Sequence, residues 1–275
     1  MTDWKLHNPP VWEAAVGAVT QLATVYDHFE IAQVHQLFAD EFPKVERQPP
    51  LLGLRPFIAS GSGTSIVPTS VQVEALQALG PERWWFSSAD GHNIFQVQDD
   101  FIGRNWRRTD PSRAPDQHYP AFSGLLAGLK DGVERMKFYH RAAGREMPNP
   151  RLCDVLYINH LSGIREDGSV RRFREILPWL NFTEEIRKGQ LFISWVERIN
   201  ESGLTLLVQA HHLGMGIVDA GKGTSITPFM RLAFNARGAC SSWEEHYTMA
   251  DEAHAYMRQR LLALTSDELR ATWRS

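Results

Sequence analysis

The segment NIFQVQDDFIGRNWRR, residues 93–108, decides the fold prediction. Its first six residues alternate between apolar and polar, which is typical of a half-buried strand, because successive strand side chains point to opposite faces. Asp99 and Asp100 interrupt the alternation, and an apolar run resumes at Phe101 and ends in basic residues. Short carboxylates satisfy backbone donors in turns. The segment therefore predicts a β-hairpin whose turn is Asp99-Asp100.

The residues on either side extend this prediction. RWWFSS (83–88) has the composition of a strand and ADGH (89–92) that of a hairpin turn, since Asp-Gly suits turns that need positive φ. Further upstream, Pro9-Pro10 introduces a predicted strand at 11–22, and apolar residues at helical spacing predict a helix from Phe29 to Phe42 that Pro43 ends. Downstream, the apolar spacing of 121–143 predicts a long helix.

The same order of elements begins again at Leu152. The spacing predicts a strand, a short helix, three strands and a long helix, at 152–161, 171–180, 190–199, 204–213, 225–238 and 243–264. NESG (200–203) is the predicted turn between the first two of the three strands. Thr265 or Ser266 is the predicted N-cap of a last helical turn. The period from Val11 to Leu152 is about 140 residues.

We predict an α+β fold that arose by internal duplication. Its two similar halves are residues 1–145 and 146–275, each an antiparallel sheet with a long helix packed on one face. The sequence leaves open whether the halves share one core.

The composition is that of an ordinary globular protein. Of the 275 residues, 43% are hydrophobic and 22% are charged, and the formal net charge is −3. This charge excludes a whole-protein field that attracts nucleic acid or anionic membranes. Cys153 and Cys240 match no metal or redox spacing, and the N-terminal residues match no secretory signal. We expect a cytoplasmic protein with buried thiols and no membrane span.

Several motifs, in order along the chain, resemble a known family. They are PPVWEA (9–14), RWWFSSADG with FQVQDDFIGRNWRR (83–108), YPAF (119–122), LYINHL (156–161) and DEAHAYMRQRLLALTSDELRATW (251–273). Together they are similar to a sporadically distributed bacterial protein family of unknown function. The resemblance implies a bacterial, horizontally transferred gene of the kind found in defence or toxin–antitoxin loci, and it implies no catalytic residues. The chain departs from the family pattern at 49–67 and 110–118.

The basic end of the opening segment is one candidate surface. The basic cluster comprises Arg104, Arg107, Arg108 and Arg113, with Trp106 among them. Arginine beside an exposed aromatic ring can bind single-stranded nucleic acid by phosphate contact and base stacking. Strand alternation places Arg104, Trp106 and Arg108 on one face of the sheet, and Asn105 and Arg107 on the other. Three arginines neutralise at most about three phosphates, so we expect no tight nucleic-acid binding by the protein alone. Solvated strand ends are the simpler interpretation.

Polar residues on the first strand of each half form the second candidate. They are Glu13 in the first half and Tyr157, Asn159 and His160 in the second. If the halves pair about a pseudo-twofold axis, both strands lie near it. Polar groups inside strands are costly unless paired, so a structural hydrogen-bond network, a ligand or a partner must satisfy them.

No motif indicates catalysis, a metal or a cofactor, and we predict none. His246 and His254 share a helix face, but their spacing matches no zincin motif. The loops at 60–65 and 219–225 lack the context of a nucleophile elbow or a P-loop, and whether either binds a ligand stays open.

Two functions remain. The favoured one is a binding or regulatory protein without catalysis of its own, in a defence or toxin–antitoxin system, with a protein partner encoded nearby or with self-association. The alternative is a sensor or enzyme that holds a small ligand in a concave sheet pocket. Its aromatic lining would comprise Trp84, Trp85, Trp106 and Trp195. A deep pocket with converging ionisable groups would favour the second.

Overall fold

The computed structural model describes residues 10–21, 24, 26–51, 54, 82–109, 119–162, 173–179, 192–219 and 224–273. The loops at 60–65 and 110–118, and most of that at 219–225, lie outside these ranges.

The described strands form one antiparallel sheet. They are β1 (Val11–Thr20), β2 (Lys44–Gln48), β3 (Arg83–Ser87), β4 (Asn93–Gln98), β5 (Phe101–Arg107), β6 (Pro150–Ser162), β7 (Phe192–Arg198), β8 (Thr205–Asp219) and β9 (Thr224–Ala239). The strand order across the sheet is β2-β3-β4-β5-β1-β6-β9-β8-β7. The predicted α+β class with antiparallel strands is confirmed.

Five described helices lie on one side of this sheet. They are α1 (His28–Gln36), α2 (Ala121–Ala142), α3 (Phe173–Ile176), α4 (Trp243–Leu264) and α5 (Asp267–Ala271). Helix α2 packs on β1 and β5, helix α4 packs on β6 and β9, and the two helices touch. Apolar residues from all five helices join one core cluster with this side of the sheet, which we call the helix face. The other side, on which none of the described helices packs, we call the helix-free face. No helix in the described ranges has the length and apolar character that a bilayer crossing requires.

The turn predictions are confirmed. Asp99 and Asp100 connect β4 to β5, whose ends pair at Gln98 and Phe101. Gly91 in the ADGH turn and Gly203 in the NESG turn have φ values of 76° and 91°, which glycine adopts without strain.

Helix α1 is shorter than predicted, and strand β2 is an element that the sequence did not predict. Helix α1 ends at Gln36 rather than at Phe42, because the chain then turns so that Phe38 stacks on Phe95 at 4.4 Å and Phe42 lies 6.5 Å from the same ring. Burial of these rings outweighs the helical pattern. Strand β2 was not predicted, since KVERQ is polar and has no alternation that marks a half-buried strand. Ser266 is the N-cap of α5, one of the two predicted residues.

Strands β1 and β6 pair along their length. On the helix face Ala14 lies opposite Tyr157, and Val16 lies opposite Val155. One core cluster contains residues from both sides of this seam. Cys153 and Cys240 are buried free thiols, as predicted.

Candidate functional site

The predicted site residues lie on two faces of the sheet. Register and burial place Arg104, Trp106, Tyr157 and Asn159 on the helix face. Glu13 and His160 lie on the helix-free face. Arg108 follows the last residue of β5 and turns toward Trp12. The two candidate surfaces are therefore each divided by the sheet.

Arg104 and Trp106 belong to the core. The Arg104 guanidinium donates from Nη2 to Glu41 Oε1 at 2.7 Å and lies 4.4 Å from the centre of the Phe42 ring. Burial lowers the pKa of Arg104, although the ion pair opposes this. Trp106 is 1% exposed and its ring is 5.0 Å from that of Tyr119. Neither side chain reaches a phosphate in solution from these positions.

Tyr157 and Asn159 are held by hydrogen bonds under the helices. The Tyr157 hydroxyl lies 2.8 Å from the Tyr119 hydroxyl and 3.1 Å from His254 Nδ1. Asn159 Nδ2 donates to the Leu232 carbonyl at 3.2 Å, and its buried Oδ1 has no hydrogen-bond partner within the described ranges. A structural network thus accounts for most of these polar groups.

A β-bulge shapes the helix-free face. Val11 lies opposite Asn159 and Glu13 opposite Ile158, so Trp12 is an extra residue in β1. Bulges re-aim side chains and are over-represented beside functional sites. Here the bulge lets the Trp12 ring stack on His160, with 4.2 Å between centroids, while Glu13 faces the same side of the sheet.

A chain of hydrogen bonds leads to Glu13. Trp85 Nε1 and Arg83 Nη1 donate to Gln96 Oε1 at 3.1 and 3.2 Å. Gln96 Nε2 in turn donates to Asn105 Oδ1. Asn105 Nδ2 then approaches Glu13 Oε1 at 3.5 Å, the limit for a hydrogen bond.

Arginines surround this chain. We call Arg83, Arg107 and Arg231 the arginine cluster, because each acts electrostatically on Glu13. The guanidinium carbons of Arg83 and Arg107 lie 5.3 and 5.0 Å from the centre of the Trp85 ring. Burial raises the pKa of Glu13, although the Asn105 hydrogen bond and the arginine cluster lower it. Desolvation therefore outweighs the nearby cations.

Arg108 and His160 adjoin the cluster. The Arg108 guanidinium carbon is 5.9 Å from the centre of the Trp12 ring. Burial, followed by the charges of Arg231 and Arg108, lowers the pKa of His160 to about 4. His160 is therefore neutral at pH 7. Of the described residues, four arginines lie around Glu13 and His160 on this face, although the whole protein is acidic.

A second group of residues has the same register. In the Glu13 set (Glu13, Asn105 and Arg107), Glu13 lies opposite Arg107, and Asn105 lies opposite Ala15 two residues along β1. In the Asp154 set (Asp154, Asn235 and Arg237), Asp154 lies opposite Arg237, and Asn235 lies opposite Leu156. In the Asp154 set the acid and the arginine form an ion pair, with Arg237 Nε 2.5 Å from Asp154 Oδ1.

Sequence reasoning did not single out Arg83, Arg231 or the Asp154 set. A signal was present, because Asn-x-Arg occurs at 105–107 and again at 235–237. The acid of each set also lies two residues after a predicted strand start: Glu13 follows Val11, and Asp154 follows Leu152. Glu13 and Asp154 are separated by the predicted period of about 140 residues.

The four tryptophans of the alternative function do not line one surface. Trp106 is buried on the helix face, and Trp85 faces the opposite side. Trp195 packs edge-on against Trp179. Trp84 lines a groove of about 370 Å³ between α1 and β2, together with Ile31, Ala32, His35 and Val45 among others.

The histidines of α4 have structural partners. His246 Nε2 donates to the Gly17 carbonyl at 2.8 Å, and His254 stacks on Phe122 at 4.3 Å. Within the described ranges, no group of three or more His, Cys, Asp or Glu residues is placed to hold a metal ion.

Neither the protein-family models nor the curated proteins include a match to this chain.

Proposed function

We propose that this protein is a binding or regulatory protein, without catalysis of its own, that holds an acidic partner on the helix-free face. The observation that carries the proposal is the gathering of Arg83, Arg107 and Arg231 around Glu13, with Arg108 nearby against the Trp12 ring. Among the described side chains here, the three half-buried cations of the arginine cluster outnumber the one carboxyl group of Glu13, so this surface attracts an anion. Half-buried charges are also screened by salt less than exposed ones.

We also propose that the chain consists of two similar halves, residues 1–145 and 146–275, that arose by duplication. The matching register of the Glu13 and Asp154 sets supports this proposal. So do the equal lengths of α2 and α4, 22 residues each. Under this proposal a pseudo-twofold axis passes near Ala15 and Leu156, which lie opposite each other across the β1–β6 seam.

The partner we propose is a protein encoded nearby, or a second copy of this chain, in the bacterial cytoplasm. The resemblance to a sporadically distributed bacterial family supports a role in a defence or toxin–antitoxin system. An acidic protein segment suits the arginine cluster, because guanidinium groups bind carboxylates in a bidentate manner. Tight binding to nucleic acid alone is not part of this proposal, since Arg104 is paired with Glu41.

Fluorescence anisotropy with a labelled oligoglutamate tests the binding surface. Replacing the arginine cluster by glutamine (R83Q, R107Q and R231Q together) should weaken binding roughly tenfold or more, because three direct charge contacts disappear. The control variant R47Q, R141Q and R198Q removes the same charge from exposed positions and should change affinity less than about twofold. Equal weakening in both variants would mean that only net charge matters.

A single-stranded oligonucleotide of matched charge serves as the second probe. We expect weak binding that salt abolishes, since few phosphates would be contacted. A tight complex with this probe that the R83Q, R107Q and R231Q variant loses would replace the acidic protein partner with nucleic acid.

A further inference from the structure

The two acid–arginine–asparagine sets differ in one respect. In the Asp154 set, the acid and the arginine neutralise each other at 2.5 Å. In the Glu13 set, Arg107 Nε instead donates to the Gly91 carbonyl at 3.3 Å, and its guanidinium lies against Trp85. Within the described ranges, Glu13 has no ion pair within 4 Å, and its hydrogen bond is the long one from Asn105. We call the Asp154 set closed, because its acid and arginine are paired with each other. We call the Glu13 set open, because its arginine donates to the Gly91 carbonyl instead.

The open geometry has identifiable supports. Gly91 adopts φ 76° in the ADGH turn, where its carbonyl accepts from Arg107. Trp85 is fixed by its hydrogen bond to Gln96, which is almost fully buried. These contacts hold the guanidinium away from the carboxyl group before any ligand arrives. A site whose groups are already in place loses less free energy to ordering when it binds.

The charges of Glu13 and of the arginine cluster determine which ligands the open set can bind. No described side chain gives Glu13 a strong donor, so we expect a ligand to supply one. A cationic donor would be repelled by the arginine cluster, whereas a neutral N–H or O–H group would not. The cluster itself requires an oxyanion.

We propose that the Glu13 set and the arginine cluster form a binding site for an oxyanion that carries a neutral N–H or O–H donor close beside it. Arg107 and Arg231 hold the oxyanion and Glu13 accepts from the neighbouring donor. This inference rests on the proposed function and names the chemistry of the group bound. Two sources share that chemistry: the carboxylate end of a polypeptide with its amide N–H, and an organic phosphate with a neighbouring hydroxyl.

Matched small probes test the requirement for the donor. N-acetylglycine is compared with acetate, which lacks the amide, and glycerol 2-phosphate with methyl phosphate, which lacks the hydroxyls. Affinities come from NMR titrations of protein labelled with ¹³C in its glutamate carboxyl groups, and loss of one signal in Glu13→Gln identifies Glu13. We expect at least one donor-bearing probe to bind about fivefold more tightly than its donor-free counterpart, as one added hydrogen bond allows.

Variants of the two sets supply the controls. Glu13→Gln should reduce the preference for the donor to less than about twofold, since the charged acceptor is lost, without weakening acetate or methyl phosphate. Arg107→Gln should weaken all four probes. Asp154→Asn breaks the closed ion pair, so it should lower the melting temperature and leave the preference unchanged, while Arg198→Gln on the same face should alter neither.

The outcomes separate this inference from the proposed function. A preference in the glycine series indicates a polypeptide end, and one in the phosphate series indicates an organic phosphate. No preference in either series, with oligoglutamate still bound through the arginine cluster, would overturn the inference and leave the proposed function standing. Failure of all probes, oligoglutamate included, would overturn both.

Discussion

Arg104 was a candidate for a binding surface, but its burial makes it part of the core. Strand alternation predicted that it shares a face with Trp106 and that Asn105 and Arg107 face the other way, and the register agrees. Alternation does not tell which face the helices cover. Arg104 lies under α2, so close that a Cβ on Gly128 would be 3.1 Å from its Nε. The basic run of β5 is therefore divided between the core and the candidate site.

The Arg104–Glu41 pair gives a stability prediction. Glu41→Gln removes the counterion of a guanidinium that is 8% exposed, and should lower the free energy of unfolding by about 1–3 kcal/mol. Urea denaturation measures this change. Glu134→Gln breaks the surface pair with Lys137 and should change stability by less than about 0.5 kcal/mol. A Glu41 effect as small as that of Glu134 would show that the buried arginine does not depend on its partner.

The bulge at Trp12 could not be predicted from the sequence. Nothing in PPVWEA marks an extra residue, because the bulge depends on the register against β6. The sequence therefore predicted Glu13 and His160 as candidates, but not that Trp12 stacks between His160 and Arg108. Arg231 comes from a strand more than 200 residues later, and only the sheet order brings it near Glu13.

At the scale of elements, local patterns predicted most of the hairpins. Asp-Asp, Asp-Gly and Asn-Glu-Ser-Gly mark turns through backbone chemistry that acts within a few residues. Elements that depend on distant packing were less predictable. Helix α1 is shorter than its pattern because Phe38 and Phe42 pack on Phe95. Strand β2 is charged because it is exposed at one edge of the described sheet.

Helix α4 makes the protein sensitive to acid. Burial lowers the pKa of His246 to about 4, below its ordinary value of 6.5. Between these values the unfolded chain binds more protons than the folded one, so stability falls as the pH falls. When the pH is lowered from about 7 to about 5, protonation of His246 in the unfolded chain should reduce the free energy of unfolding by about 2 kcal/mol.

Measuring the free energy of unfolding by denaturation at about pH 7 and at about pH 5 tests this predicted loss. His246→Asn should reduce the loss on acidification by about that 2 kcal/mol, whatever its stability at neutral pH. Part of the loss should persist, because burial also lowers the pKa of His254 to about 4. His28, whose side chain is 74% exposed, provides the control, and His28→Asn should leave the acid sensitivity as it is. An unchanged loss in His246→Asn would assign the sensitivity to other groups.

At the scale of the molecule, the β1–β6 seam joins the predicted halves. The sheet continues across this seam, and one core cluster includes buried residues of β4 and β8 on either side of it. The order of elements predicted two groups of strands, but pairing between groups depends on contacts some 140 residues apart, which periodicity does not report. With a shared sheet and core, the chain should unfold as one cooperative unit, although the sequence alone allowed two.

Matched core substitutions on the two sides test this cooperativity. Val97 in β4 and Val208 in β8 are both fully buried in the same core cluster. Val→Ala at either site removes two methyl groups and should cost about 2 kcal/mol, from roughly 0.8 kcal/mol per group and a small cavity. Because the core is shared, each variant should move the whole transition to lower urea concentration, whether followed by tryptophan fluorescence or by helical circular dichroism. Two separate transitions, of which each substitution moves only one, would show that residues 1–145 and 146–275 unfold independently.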